Sequence, residues 1–279
     1  MENIFRMRGA LAALPFIAPE HDTLMSEWLN QMVYPLENAE IFVSANSNLS
    51  NTAWRVKMDT KTLAQRYAAF MKYADFNPVE IEVLKKGIVS FRGEFSVWLS
   101  IGKNEQDSGW EIDNGVFPLE QLWGLLPGNV EESLKKWYKK YDADAFVKFG
   151  RCIASNTYSY FNTELFGNNA EEDMELYISL CNALEIDPLP NPILEMIADF
   201  EPEFIEVSFT IGSNGLLKLG LVIPNPSDEL VLKTAMITGD GDIDMMAAYE
   251  GALGNVVPTK LEISRTANGI ESSWEYRYL

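Results

Sequence analysis

Histidine is almost absent: the 279 residues contain one, His21. Chemistry that gathers imidazoles in a pocket, such as His-Asp relays, two-histidine metal sites and His-based proton shuttles, is therefore excluded. His21 lies in the polar stretch Pro19-Glu-His-Asp-Thr23 and reads as a solvated loop residue. Cysteine is nearly as scarce. Cys152 and Cys181 stand in dissimilar surroundings, one strand-like and one helix-like, and cannot build a Cys-rich zinc or iron–sulfur centre. They read as buried thiols in a reducing compartment. Positive charge is short as well: 22 Lys+Arg face 41 Asp+Glu, a net charge of −19. That balance opposes the phosphate neutralisation behind sequence-independent binding to nucleic acid or to an anionic membrane face, so neither is expected as a partner. No apolar run approaches the roughly 18 residues that cross a bilayer. Arg6 and Arg8 ahead of Gly9–Ala18 faintly resemble a signal peptide, but Pro15 interrupts the run and no small-x-small cleavage site follows. A cytoplasmic protein is expected.

What is present suits a folded chain. Hydrophobic residues make up 47% and aromatics 12%, enough for a sizeable core, while charged residues at 23% are near average. After a helical lead-in over 1–39, helical patterns alternate with pairs of strand-like runs. The pairs are Ile41–Ala45 with Ala53–Asp59, Ile88–Arg92 with Phe95–Ile101 turning at Gly93, and Phe146–Cys152 with Tyr158–Phe161 through Ser155-Asn156. Two more follow: Phe204–Ile211 with Leu216–Ile223 around Gly212-Ser-Asn-Gly215, and Lys260–Ser264 with Ser272–Arg277 around Ala267-Asn-Gly269. Between them, Thr60–Ala74 with Val79–Lys86, Leu119–Tyr141, Ala170–Leu184 with Ile193–Phe200, and Asp228–Leu253 have helical composition. Leu176, Leu180 and Leu184 carry the spacing of one buried helix face. No Pro/Gly/Ser-rich linker divides the chain, so a single α+β domain over 1–279 is expected.

Strand parity separates two faces. Ile205, Val207, Phe209 and Ile211 oppose Glu206, Ser208 and Thr210; Leu217, Leu219, Leu221 and Ile223 oppose Lys218 and Gly220. Phe95, Val97, Leu99 and Ile101 likewise oppose Ser96, Trp98 and Ser100, and Leu261 and Ile263 oppose Lys260, Glu262 and Ser264. If helices cover the apolar face, the polar face looks into solvent or into a lumen. The pattern alone leaves open a wet-faced sheet and a helix-jacketed antiparallel barrel.

Several segments carry a resemblance. Ser155–Asn162, a helix around Glu172–Leu184, Ile193–Ile211, Gly215 and Lys218–Ile223 resemble the middle-to-late part of the bacterial soluble aromatic prenyltransferases. Trp54-Arg55-Val-Lys57 resembles their early strand, and Thr60–Phe70 also resembles the cyanobacterial peptide-prenylating branch. The likeness covers most of the chain from about residue 40 and rests on order and short segments. It implies a ten-stranded antiparallel barrel of five αββα repeats, the PT-barrel, with a polar ligand-binding lumen. It further implies transfer of a dimethylallyl, geranyl or longer prenyl group from its diphosphate to an electron-rich aromatic small molecule. The branch resemblance keeps a cyclic-peptide Tyr or Trp open as acceptor, and a non-catalytic ligand barrel remains a third reading.

Such chemistry needs cations and hydrogen-bond donors for the departing diphosphate and aromatic faces that shelter the allylic cation. Arg55, Lys57, Lys148 and Lys218 are the candidate diphosphate contacts, with Tyr158 and Tyr160 as phenolic donors and Arg277 on the last strand. Each cation taken singly reads sooner as a solvated strand-face charge, and only the four on successive hairpins together bring a site level with that reading. Trp98, Trp274 and Tyr276 are candidates to line the prenyl and acceptor pocket. Glu94, Glu206 and Glu262 are candidates to orient an indole N–H or accept a proton. Arg55 stands where magnesium-dependent members carry Asp, and DDxxD is absent, so magnesium is not expected to be required. Asp240-Gly-Asp242-Ile-Asp244 opens like an EF-hand loop, but Met245 and Gly251 replace its Gly and Glu. It reads as a turn into a helix starting near Ile243.

Overall fold

The computed structural model describes residues 2–33, 39–73, 78–90, 93–103, 106–124, 126–141, 145–153, 157–238 and 243–278. Two helices, α1 (Glu2–Ala12) and α2 (Pro19–Met32), precede β1 (Glu40–Asn46) and β2 (Asn51–Lys57). Then come α3 (Thr60–Tyr73), α4 (Pro78–Ser90), β3 (Glu94–Gly102), β4 (Gln106–Asp113), a short β5 (Phe117–Pro118) and α5 (Gly128–Tyr141). They are followed by β6 (Ala145–Phe146), β7 (Lys148–Cys152), β8 (Tyr158–Glu164), α6 (Ala170–Ala183) and α7 (Asn191–Asp199). The chain continues through β9 (Glu206–Gly212), β10 (Gly215–Pro224), α8 (Asp228–Thr238), α9 (Ile243–Leu253), β11 (Val256–Thr266) and β12 (Gly269–Tyr278).

Ten of these strands close into one antiparallel barrel in the order β1-β12-β11-β10-β9-β8-β7-β4-β3-β2, while β5 and β6 form a separate pair. Closure leaves no free sheet edge. The parity argument holds around the circle: Val56, Leu99, Trp110, Phe161, Phe209, Leu221 and Ile263 are buried beneath the helices. Phe161 and Phe209 stack across β8 and β9 with centroids 4.4 Å apart. Helix tyrosines pin the jacket to outward strand hydroxyls, Tyr67 to Ser108 at 2.8 Å, Tyr138 to Thr163 at 2.7 Å and Tyr249 to Thr52 at 2.6 Å. Helix starts follow capping chemistry, for example the Glu172 N–H donating to the Asn169 side chain at the head of α6.

Four expectations change. Ile88–Ser90 is not a strand but the last turn of α4, and residues 91–92 lie outside the described residues; the partner of β3 is β4. Leu119–Tyr141 is not one helix: a 3-10 turn at Leu119–Gln121 precedes α5. His21 sits in the first turn of α2, where its Nδ1 accepts the Ala18 N–H at 3.1 Å. On α6, Tyr177 and Cys181 are buried along with Leu180, whereas Leu176 and Leu184 are only half-buried. Ser155-Asn156 and Asp240-Gly-Asp242 lie outside the described residues, although α9 does begin at Ile243.

Candidate functional site

Inward positions of the barrel strands line two cavities stacked along its axis. The inner one, about 240 Å³, is bounded by Trp98, Tyr158, Tyr160, Glu111, Lys218 and Glu262 among others. The larger, about 580 Å³ and called the outer cavity, is bordered by Lys57, Asp113, Lys148, Glu206 and Arg277, and both cavities are open to solvent. Arg55, Asn162, Lys260 and Glu275 border both. Two inward glycines make room for the aromatic wall. Trp98 lies opposite Gly109 and Tyr160 opposite Gly150, and a Cβ on either glycine would collide with the facing ring. The Trp98 indole N–H donates to the Tyr160 hydroxyl at 2.8 Å, which donates to Glu111 at 2.9 Å. A hydrogen-bonded chain thus joins the inner wall to the charged residues.

Those charges form two clusters. In the first, Arg55 donates bidentately to Glu275 at 2.8 and 2.7 Å and reaches Glu111 and Asp113 at 3.1 Å each. Lys148 joins it, 3.2 Å from Glu111 and 3.6 Å from Asp113, and the Arg55 guanidinium lies 3.9 Å above the Phe42 ring. In the second, Glu262 holds Lys218 and Lys260, each at 3.1 Å, and accepts from Ser208 and Ser264 at 3.0 and 3.1 Å. Burial works against every one of these carboxylates. Lys148 and Arg55 nevertheless hold Glu111 down at about 2, and the two lysines hold Glu262 well below the carboxylate range. Burial is outweighed by Arg55 at Glu275 too. Asp113 is the exception: burial and the neighbouring Glu111 push it upward despite Lys148 and Arg55, and its Oδ1 has no hydrogen-bond partner.

The expected residues distribute unevenly. Arg55, Lys148, Lys218, Tyr158, Tyr160, Trp98 and Glu262 all face the lumen. Lys57 stands at the outer rim, paired with Glu94 and with Glu40 at 3.5 Å; Glu94 also accepts from Asn114. Glu206 accepts from Asn162 at 2.6 Å in the outer cavity, and Arg277 is exposed at its mouth. Tyr276 does not belong with them. On β12, Ser273, Glu275 and Arg277 face inward, so Tyr276 points to the helices, where it lines a small pocket with Val231, Met246 and Glu250. Trp274 shares that parity, lies in the core and only borders the inner cavity. Glu111, Asp113 and Glu275 are not among the residues the sequence singles out, and Lys260 enters there only as a polar-face residue of its strand. The signal for the first two was present: in Gln106–Asp113, Ser108, Trp110 and Ile112 alternate with Asp107, Gly109, Glu111 and Asp113.

No family model matches the chain. A curated PH domain-containing protein of Dictyostelium discoideum is 20% identical over 281 aligned residues; the match takes in 95% of this chain and 61% of the relative's length. Solved structures are far closer in shape than in sequence. AnaPT from Neosartorya fischeri matches with TM-score 0.65 at 10% identity, covering 97% of this chain and 91% of its own. The 6-dimethylallyltryptophan synthase of Micromonospora olivasterospora, solved with DMASPP and Trp, gives 0.66 at 10% identity over 97% and 95%. The chain has the PT-barrel fold. The Streptomyces coelicolor 5-dimethylallyl tryptophan synthase, also solved with DMASPP and Trp, superposes at 0.63 and 8% identity over 98% and 92%. As a PT-barrel, the chain keeps the closed ten-strand order and the helix jacket. Among the described residues no helix is long and apolar enough to cross a membrane.

Proposed function

We propose that this PT-barrel is an aromatic prenyltransferase that moves a dimethylallyl or geranyl group from its diphosphate to an indole- or phenol-type small molecule. One observation carries the reading: Arg55, Lys148, Lys218 and Lys260 converge on a lumen whose inner wall is Trp98, Tyr158 and Tyr160. The allylic C–O bond breaks with its electron pair leaving on the diphosphate, held by these cations together with Lys57 and Arg277 at the rim. Aromatic faces of the inner cavity shelter the allylic cation from water. Ring carbon then attacks, a C–C bond forms, and the ring proton passes to a lumen carboxylate. Of Glu94, Glu206 and Glu262, only Glu262 borders the inner cavity. Its two lysines make it a weak base, sufficient for a strongly acidic arenium proton. On the resemblance, no step is assigned to magnesium, because Arg55 stands where the magnesium-dependent members carry Asp.

A second reading has its own support. Each lumen cation just named is already paired with a carboxylate, as a ligand-holding barrel without catalysis would have it. The two separate on thermal stability measured with thiolodiphosphate analogues of the dimethylallyl, geranyl and farnesyl donors, with and without magnesium, followed by mass analysis after incubation of the authentic diphosphates with indoles, phenols and cyclic peptides. Chain-length-dependent stabilisation that survives chelation, plus a mass gain of one prenyl unit, supports the transferase. A gain on cyclic peptides alone transfers the assignment to the peptide-modifying branch. No response to any diphosphate leaves the ligand barrel.

A further inference from the structure

The two ion clusters pose a charge problem for any anion that enters the lumen. Lys218 and Lys260 share one carboxylate, Glu262, so that side carries one surplus positive charge. Arg55 and Lys148 face three, Glu111, Asp113 and Glu275, so that side carries one surplus negative charge whenever all are ionised. A diphosphate lying between them brings at least two further negative charges into a partly desolvated space, where like charges repel strongly. Something on the Arg55 side must give way, and geometry singles out one residue. The Asp113 Oδ1 is buried with no partner, while Oδ2 meets Arg55 at 3.1 Å and Lys148 at 3.6 Å. Glu275 has its forked guanidinium, and Glu111 has Arg55, Lys148 and the Tyr160 hydroxyl.

Resting on the prenyl-diphosphate reading, we propose that Asp113 takes up one proton from solvent when the diphosphate binds, making binding weaken as pH rises. The new O–H forms on the free Oδ1, cancels the surplus negative charge and leaves Arg55 and Lys148 with two carboxylates to share and a diphosphate to hold. All the charged groups facing Asp113 enter the balance: Arg55 and Lys57 from β2, Glu94 opposite it on β3, Glu111 on its own strand, Lys148 from β7, and Glu275 from β12 through Arg55. Burial and Glu111 already push its carboxyl upward, and an arriving anion pushes in the same direction.

Calorimetric titration with the thiolodiphosphate analogue of dimethylallyl diphosphate, in chelator and in two buffers of different ionisation enthalpy, tests this. The wild type is expected to take up about one more proton per ligand than Asp113→Asn, and its Kd to weaken with rising pH by up to about tenfold per pH unit relative to the variant's. The ligand's own ionisation is common to both proteins and cancels in the difference. Wild-type binding whose net proton change equals that of the analogue's own ionisation, known from titrating the free analogue, overturns the proposal even if the variant cannot be purified. Equal uptake by both proteins, or binding that needs magnesium and takes up no proton, overturns it as well. Each of those leaves the prenyl-diphosphate reading standing; failure of any prenyl diphosphate to bind at any pH removes that reading itself.

Discussion

The Arg55 cluster and the Glu262 cluster sit in one lumen and solve opposite problems. Around Arg55 and Lys148 the carboxylates outnumber the cations, and around Glu262 the lysines outnumber the carboxylate. The first is the more enclosed: the side chains of Arg55 and Lys148 are 12% and 13% exposed, those of Lys218 and Lys260 26% and 27%. The difference teaches that a strand-face cation is not by itself an anion site. The Arg55 side is framework that must be discharged before it can hold a ligand, whereas the Glu262 side has charge to spare and water to let it rearrange.

Removing the cation from each side separates them most sharply. Arg55→Met leaves three buried carboxylates with Lys148 alone and is expected to cost about 3–5 kcal/mol, whereas Lys218→Met leaves Glu262 with Lys260, Ser208 and Ser264 and is expected to cost about 1 kcal/mol or less. Urea unfolding of the two variants gives both numbers, and equal losses would erase the distinction. An intermediate effect comes from acid. Glu111, Glu262 and Glu275 are held below their ordinary values in the folded state, so the stability they contribute is complete above the unfolded carboxylate range and drains away as pH falls towards about 2. Asp113 has the opposite sign, since its raised carboxyl costs stability when ionised and repays it on protonation. Urea midpoints across pH should therefore fall less steeply on acidification in wild type than in Asp113→Asn. A further effect belongs to the wall: Tyr160→Phe removes the hydroxyl between Trp98 and Glu111 and should cost about 1–3 kcal/mol in thermal unfolding, less than Arg55→Met, through the Trp98 N–H left unpaired.

Much of the fold was legible. In β9, in β10 from Lys218 onward and in β11 from Lys260 to Ser264, the alternation of apolar and polar residues assigned each side chain to jacket or lumen, because a strand's side chains must alternate; Leu217, expected with the apolar face, lies beside a bulge and is exposed. The second hairpin was not. Ile88-Val-Ser-Phe has the composition of a strand yet its first residues continue α4, while Gln106-Asp-Ser-Gly-Trp-Glu-Ile-Asp113 is rich in residues that strands avoid and still forms β4. Its pairing with β3 and β7 supplies what local propensity lacks. Losing β4 concealed Glu111 and Asp113, and with them the partners of Arg55 and Lys148.

By itself the sequence determined the two-faced strands, the lack of multi-histidine and cysteine-rich metal sites, and which cations stand on polar faces, since each follows from composition or from the two-residue repeat of a strand. Tertiary structure alone decided that those cations meet carboxylates from distant strands, and that Tyr276 faces helices while Asp113 is left with an unpartnered oxygen. The physical reason is that charge pairing depends on distances of 3–4 Å between strands far apart in the chain, and barrel closure sets those distances where no local pattern records them.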